Sequence, residues 1–287
     1  MVDKRNRYEL RNRYMLTGQL IMQTAFHIGG GKITLSSSDS PVVLTPQGQP
    51  FIPGSSFKGA LRNRVEKLVP SLPTEAALYS CGLLDLSDDE REQLKNSRSL
   101  FCATQWPQEM QSSGQEKEFL ARARANLCHT CQLFGSPYAA SRINVIDLYL
   151  ANSEWTNVIQ RRDGVAIDRD SEKARDRLKY DFEVVPASTI FEMQIILENA
   201  TPQDLKLISI GLSEFTNGFG VIGGKRSQGL GLCRLENLQV AVLELEDVEE
   251  QERSKRLRNY LLKREFSSHL AGEDFLNEHI NLLFGDG

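Results

Sequence analysis

STIFEMQIILENATPQDLKLISIGLSEF, Ser188 to Phe215, changes its apolar period partway along. Up to Glu198 the apolar residues alternate through Phe191, Met193, Ile195 and Leu197, as on a strand with one buried face. Thr201 is then a natural N-cap with Pro202 at the first helical position, and Leu205, Ile208, Leu212 and Phe215 form a helical stripe. A half-buried strand therefore leads directly into an amphipathic helix.

The same pair occurs upstream. Met15 to Ile28, MLTGQLIMQTAFHI, sets Leu16, Leu20 and Met22 in phase with Gly18, which predicts a strand. After FIPGSS, the stripe Phe57, Leu61, Val65 and Leu68 predicts a helix from about Ser56 to Leu68, with Ser55 or Ser56 as N-cap and Lys58, Arg62 and Arg64 off the stripe. RINVIDLYLA predicts a strand with Ile146, Leu148 and Leu150 on one face, and a final strand carries Leu238, Val240 and Val242 in phase. The order is strand, helix, strand, strand, helix, strand. It predicts an α+β, ferredoxin-like βαββαβ core of the kind found in RNA-recognition-motif domains. Residues 1–245 would form this domain, with insertions at about 70–140 and 152–187, and residues 246–287 would add a C-terminal helical extension.

A chain of 287 residues, 40% hydrophobic and 25% charged, can bury a sizeable core. It begins with a polar, basic stretch and has no apolar run of membrane-spanning length, so the expected location is the cytoplasm. The net charge of −4 is unevenly spread: residues 244–287 hold eleven acids against six bases, leaving the body near +1. The overall acidity is therefore no argument against a nucleic-acid partner.

Two glycine patterns imitate nucleotide-binding motifs and fail on context. GGGKI lacks the Ser/Thr after its lysine, and GFGVIG follows an amphipathic helix instead of a strand. The run from Gly218 to Gly231 instead offers six glycines with Lys225 and Arg226, able to bring amides and cations to a phosphate or to form a solvated loop. The helix start at PGSSFKGALR, with Lys58 and Arg62, would likewise hold an anion.

Cys128 and Cys131 stand at metal-ligand spacing with Cys81 and Cys102 upstream and His129 between them. They predict either a structural zinc, with His129 as an alternative ligand, or half-buried thiols. Cys233 falls on a predicted strand and reads as core. The segment from Arg161 to Pro186 is too charged for core and reads as a projecting hairpin or a solvated loop. Asp39, alone in a serine-rich loop, is open between an idle carboxylate and a site for Mg2+ or a reacting hydroxyl. His27 at its strand end is open between packing and RNA contact.

Together FHIGGG, DSPVV, FIPGSSFKGALR, CQLFGS, SRINVIDLY, RDGVAIDR with FEVVP, and IGGKRSQGLG resemble the RAMP superfamily, most closely the repeated backbone subunit of type III CRISPR effector complexes. The resemblance runs from about Leu16 to Leu243. It implies a guide CRISPR RNA-binding subunit stacked against neighbouring copies and other effector subunits, cutting bound target RNA with Mg2+ or Mn2+. Asp39 of DSPV would be the catalytic residue. His27, Ser55, Ser56, Lys58, Arg62, Arg142, Gly223, Gly224, Lys225 and Arg226 would contact RNA, and Arg161, Val165 and Ile167 would lie on a thumb interrupting the guide–target duplex. The alternatives are a catalytically silent RNA-binding subunit and a ribonuclease that processes guide precursors through histidine chemistry.

Overall fold

The structure, a computed structural model, describes residues 9–30, 38–81, 102, 120–121, 124–151, 155, 158–167 and 174–285. Strand β1 (Asn12–Met22) buries Leu16, Leu20 and Met22 completely, as their alternation predicts. It lies between β5 (Ile190–Glu198) and β7 (Leu232–Glu244), antiparallel to both. With β2 (Ile143–Val145) and β6 (Gly220–Val221) the sheet order is β2-β5-β1-β7-β6, antiparallel throughout. Helices α1 (Gly54–Leu68) and α3 (Pro202–Thr216) cover one face, meeting through Phe57 and Phe215, whose ring centroids are 5.1 Å apart. The core between helices and sheet contains Phe191, Met193, Ile195 and Leu197 from β5 and Leu205, Ile208, Leu212 and Phe215 from α3. Thr201 caps α3 as expected, in a reciprocal capping box with Asp204.

Three local expectations change. Helix α1 starts at Gly54 with no serine cap, because Asp147 Oδ1 accepts the Gly54 N–H at 2.7 Å. A Cβ on Gly54 would lie 2.2 Å from Val145 O, so only glycine lets the helix start sit against β2. The strand predicted through Ile146, Leu148 and Leu150 stops at Val145. Beyond it Leu148 bridges Ile52, which buries Leu148 and leaves Ile146 36% exposed, while Leu150 bridges Phe191 of β5 as the predicted strand would. Between residues 70 and 140, what is described includes short 3-10 turns and α2 (His129–Phe134), while SDDEREQLKNSRS lies outside the described residues.

The third change is at the C-terminus. Helix α4 (Glu250–Lys263) is followed by a strand, β8 (Ser268–Ala271), that pairs with β7, and then by α5 (Gly272–Asn281). Phe275 of α5 is fully buried in the main core, so this segment is part of the body rather than a helical appendage. The charged excursion is a hairpin of β3 (Gln160–Ile167) and β4 (Ala174–Val184), a separate two-stranded sheet. No helix among the described residues is long and apolar enough to cross a membrane.

Candidate functional site

The end of β4 organises most of the singled-out residues. Tyr180 and Phe182 stack on one face of the strand, and alternation turns Asp181 and Glu183 to the other. Lys225 Nζ sits 4.7 Å from the Tyr180 ring centroid and 4.2 Å from that of Phe182, a cation–π seat for a lysine whose own backbone is left-handed. Arg226 is exposed, and its Nε donates to Gly223 O at 3.0 Å. Gly224 N–H donates to His27 O at 2.9 Å, tying the glycine loop to the end of the first strand.

On the other face lies Asp39. Its N–H donates to Asp181 Oδ1 at 2.8 Å, and Asp181 N–H donates back to Asp39 Oδ2 at 3.1 Å. Ser38 Oγ also donates to Asp181 Oδ1, at 2.8 Å, and Arg161 of β3 forms an ion pair with Asp181. One residue further, Glu183 N–H donates to Ser40 O, and Glu183 Oε2 accepts Val42 N–H, both at 3.0 Å. Val43 N–H reaches back to Ile28 O at 2.9 Å. Residues 38–43 are thus laced between the hairpin and the continuation of β1. Asp39 itself remains exposed.

His27, open from sequence between packing and RNA contact, is packed. It is only 7% exposed, with Nδ1 2.8 Å from Glu183 O and Nε2 3.2 Å from Ser40 Oγ. A carbonyl can only accept, so Nδ1 carries the proton, and in the neutral ring Nε2 accepts from Ser40. His27 therefore braces the Asp39 loop. Of the residues expected on a thumb, Val165 pairs with Lys179 and Ile167 with Ala174 in the hairpin register.

A second group gathers at α1. Lys58 Nζ donates to Ser141 Oγ at 2.8 Å, and burial, helped by the charge of Arg62, pushes its pKa down. Arg62 is engaged within the protein: Nε with Glu66 (2.7 Å), Nη1 with Gly135 O (3.0 Å) and Nη2 with Cys131 Sγ (3.2 Å). Arg142 pairs with Asp204 at 2.6 Å, on the wall of a cleft of about 730 Å3 that also contains Arg11, Arg13 and Arg124. Ser55 is exposed on the first turn of α1, and Ser56 is half-buried there.

Cys81, Cys102, Cys128 and Cys131 are all buried, with their four sulfur atoms within 4.8 Å of one another. Cys81 and Cys131 sulfurs are 3.6 Å apart. Tetrahedral thiolates at a Zn–S distance near 2.3 Å would be separated by roughly 3.8 Å, so the spacing fits zinc. Backbone N–H groups of Cys128 and Cys131 point at the sulfurs of Cys102 and Cys128, each at 3.3 Å. Hydrogen bonds from Cys102 and Cys131 pull the Cys128 thiol below its ordinary range, while the contact with Cys128 pushes Cys102 well above it and contacts with Cys102 and Cys128 push Cys131 up as well. His129 lies outside this group, its Nδ1 accepting Tyr79 N–H at 3.0 Å.

The charged segment at Tyr180–Glu183 reads from sequence as solvated, yet it supplies Asp181, Tyr180 and Phe182 to the site. The alternation of aromatic and acid in YDFE is the one signal that pointed there.

Similarity agrees with the geometry in its extent. The chain is similar to relatives that bear the name CRISPR system Cms endoribonuclease Csm3, among them the following three. The one from Methanothermobacter thermautotrophicus is 39% identical over 59 residues, 20% of this chain and 24% of the relative. That match spans only a quarter of the relative's own length. Those from Enterococcus italicus and Streptococcus thermophilus are each 26% identical, over 221 residues (76% of this chain, 88% of the relative) and 234 residues (79% and 89%). The family description that matches residues 20–234 is the RAMP superfamily. That span runs from β1 into β7 and takes in the Asp39 loop, the cysteine cluster, the hairpin and the glycine loop, and the chain belongs to the RAMP superfamily.

Proposed function

We propose that this chain is a guide-RNA-binding backbone subunit of a type III CRISPR effector complex, and that it cuts the target RNA paired to its guide. The observation that carries this reading is the held but exposed Asp39, on the opposite face of β4 from the seated Lys225. The names of the Csm3 relatives support it. Its partners would be the guide CRISPR RNA, target RNA, neighbouring copies of the chain and other effector subunits.

The chemistry is transesterification. The ribose 2′-OH attacks the adjacent phosphorus, the bond to the 5′ oxygen breaks, and a cyclic phosphate and a 5′-OH result; the hydroxyl proton leaves to solvent, which protonates the leaving oxygen. The nucleophile belongs to the substrate, so the protein aligns the attack and compensates charge. Mg2+ commonly takes one or two carboxylates and completes its shell with phosphate oxygens and water, which fits a single exposed Asp39. Bound there, Mg2+ or Mn2+ would neutralise charge on the reacting phosphate. Lys225 and Arg226, with the Gly223 amide nearby, are the groups best placed to hold a guide phosphate; the Gly224 amide is already spent on His27 O.

The same reading takes the core as ferredoxin-like. Counting β1, β2, β5 and β7 as the four core strands, their antiparallel order supports it, with the β3-β4 hairpin as the thumb and the cysteine cluster as a structural zinc site. His27 offers no free imidazole, which speaks against the precursor-processing alternative. The test is Asp39→Ala in the assembled complex: assembly and guide binding should persist while target cutting at the positions served by this subunit is lost. Unchanged cutting at every position would leave a purely structural subunit.

A further inference from the structure

Resting on that reading, we infer that Asp181, on the thumb strand, is the positioning residue for Asp39. The two are 142 positions apart in sequence and joined at two points. Asp181 Oδ1 accepts the Asp39 N–H and the Ser38 hydroxyl, which fixes the loop backbone. Asp181 N–H holds Asp39 Oδ2, which fixes the carboxylate; among the described residues Asp39 Oδ1 takes no hydrogen bond and is left to act.

Charge supports the assignment. A second carboxylate beside Asp39 would by itself raise the negative field there. The Arg161 ion pair answers the charge of Asp181, whose side chain is only 12% exposed. Arg161 thus has a task on the protein side of the hairpin. The acid that remains for a cation and a phosphate is Asp39.

The strand also fixes a distance. Residues 180 and 182 seat Lys225 on one face, and residues 181 and 183 hold the loop of Asp39 on the other. These four consecutive residues link a candidate phosphate grip to the candidate cleavage group. A hairpin moved by the RNA it interrupts would carry Asp39 with it.

The test uses the assembled complex with guide and complementary target RNA, carrying Asp181→Ala, Asp181→Ser or Asp181→Asn. Displacement of a catalytic group by about 1 Å costs on the order of 100-fold. Asp181→Ala should therefore lower kcat roughly 10- to 100-fold, raise the Mg2+ concentration for half-maximal cutting, and leave KM for target unchanged. Asp181→Ser, too short to reach Asp39 N–H, should behave as the alanine does and stands in for it if the alanine variant fails to assemble. Asp181→Asn keeps an acceptor oxygen and should recover most of the loss. Amide exchange over residues 38–43 should speed up in the alanine and serine variants and much less in the asparagine one. Wild-type kcat and metal dependence in Ala and Ser, equal losses in all three, a loss confined to KM, or unchanged amide exchange would each overturn the inference. Asp39→Ala run in parallel separates the two ideas: if it cuts normally the cleavage reading fails, and if it alone is inactive only the positioning role fails.

Discussion

Gly223 offers the sharpest test of how the glycine loop is held against the Asp39 site. Its φ is +85°, and a Cβ built on it would lie 2.3 Å from His27 O, a backbone atom that cannot rotate away. That oxygen accepts Gly224 N–H at 2.9 Å, so relief of the clash must also stretch a hydrogen bond. Left-handed backbone costs an ordinary residue about 1–2 kcal/mol, and a lost hydrogen bond about another 1 kcal/mol. Gly223→Ala should therefore destabilise the protein by roughly 2–3 kcal/mol, or by about 3–6 °C in Tm for a chain of this size. Two other glycines calibrate the result. Gly48 has φ +77° with nothing within 4 Å, so Gly48→Ala should show the conformational cost alone. Gly59 is exposed in α1 with nothing within 4 Å, and Gly59→Ala should stabilise by roughly 0.5–1 kcal/mol. Thermal unfolding of the three purified variants by circular dichroism gives the comparison. A Gly223→Ala melting point no lower than that of Gly48→Ala would show that the loop is not pressed onto His27 as described.

Metal analysis of the dialysed protein should find about one zinc per chain, with Cys102→Ser reducing it; a stoichiometry near zero refutes the four-cysteine site. Arg62→Ala removes bonds to Glu66, Gly135 and Cys131 together, so it should cost roughly 2–4 kcal/mol in denaturant titration and hasten zinc loss to a chelator. Lys58→Ala, losing one bond to a serine hydroxyl, should instead leave stability within about 1 kcal/mol while weakening guide binding and flattening its salt dependence. The Cys233 thiol is pushed up to about 12 by burial, against a small opposing pull from Arg64. Its folded pKa lies above the ordinary value of 9.0, so its contribution to stability is complete below that value and is lost as pH rises toward about 12. Iodoacetamide should accordingly spare Cys233 in the native protein and label it in denaturant, as peptide mass mapping would show.

The layered fold was legible because its elements carry their periods locally. Leu16, Leu20 and Met22, the β5 alternation and the Thr201 cap all express themselves within one turn or one strand of sequence. What sequence missed depends on remote partners. Asp147 caps a helix 93 positions away, a task that adjacent serines would have been expected to take. Strand β8 is four residues long and mostly exposed, so its only strong determinant is the edge of β7 to which it bonds. Asp181 lies in a run whose charge reads as solvated, and nothing within that run tells of Ser38 or Asp39.

The same distinction reorders the cations. Arg62 and Arg142 read as phosphate grips by their position on a helix and beside a strand, yet each already has an acidic partner, Glu66 and Asp204. Moving either guanidinium to RNA would leave that acid without its counter-charge, and a carboxylate as buried as Asp204, 2% exposed, bears such a loss poorly. Lys225 faces no such exchange, because aromatic rings hold its stem and head without neutralising it. Its charge stays available to a phosphate while its position is set. A lysine held this way and an aspartate held by Asp181 are both seated on one strand, so the proposed grip and the proposed cleavage group need no separate device to keep them in register.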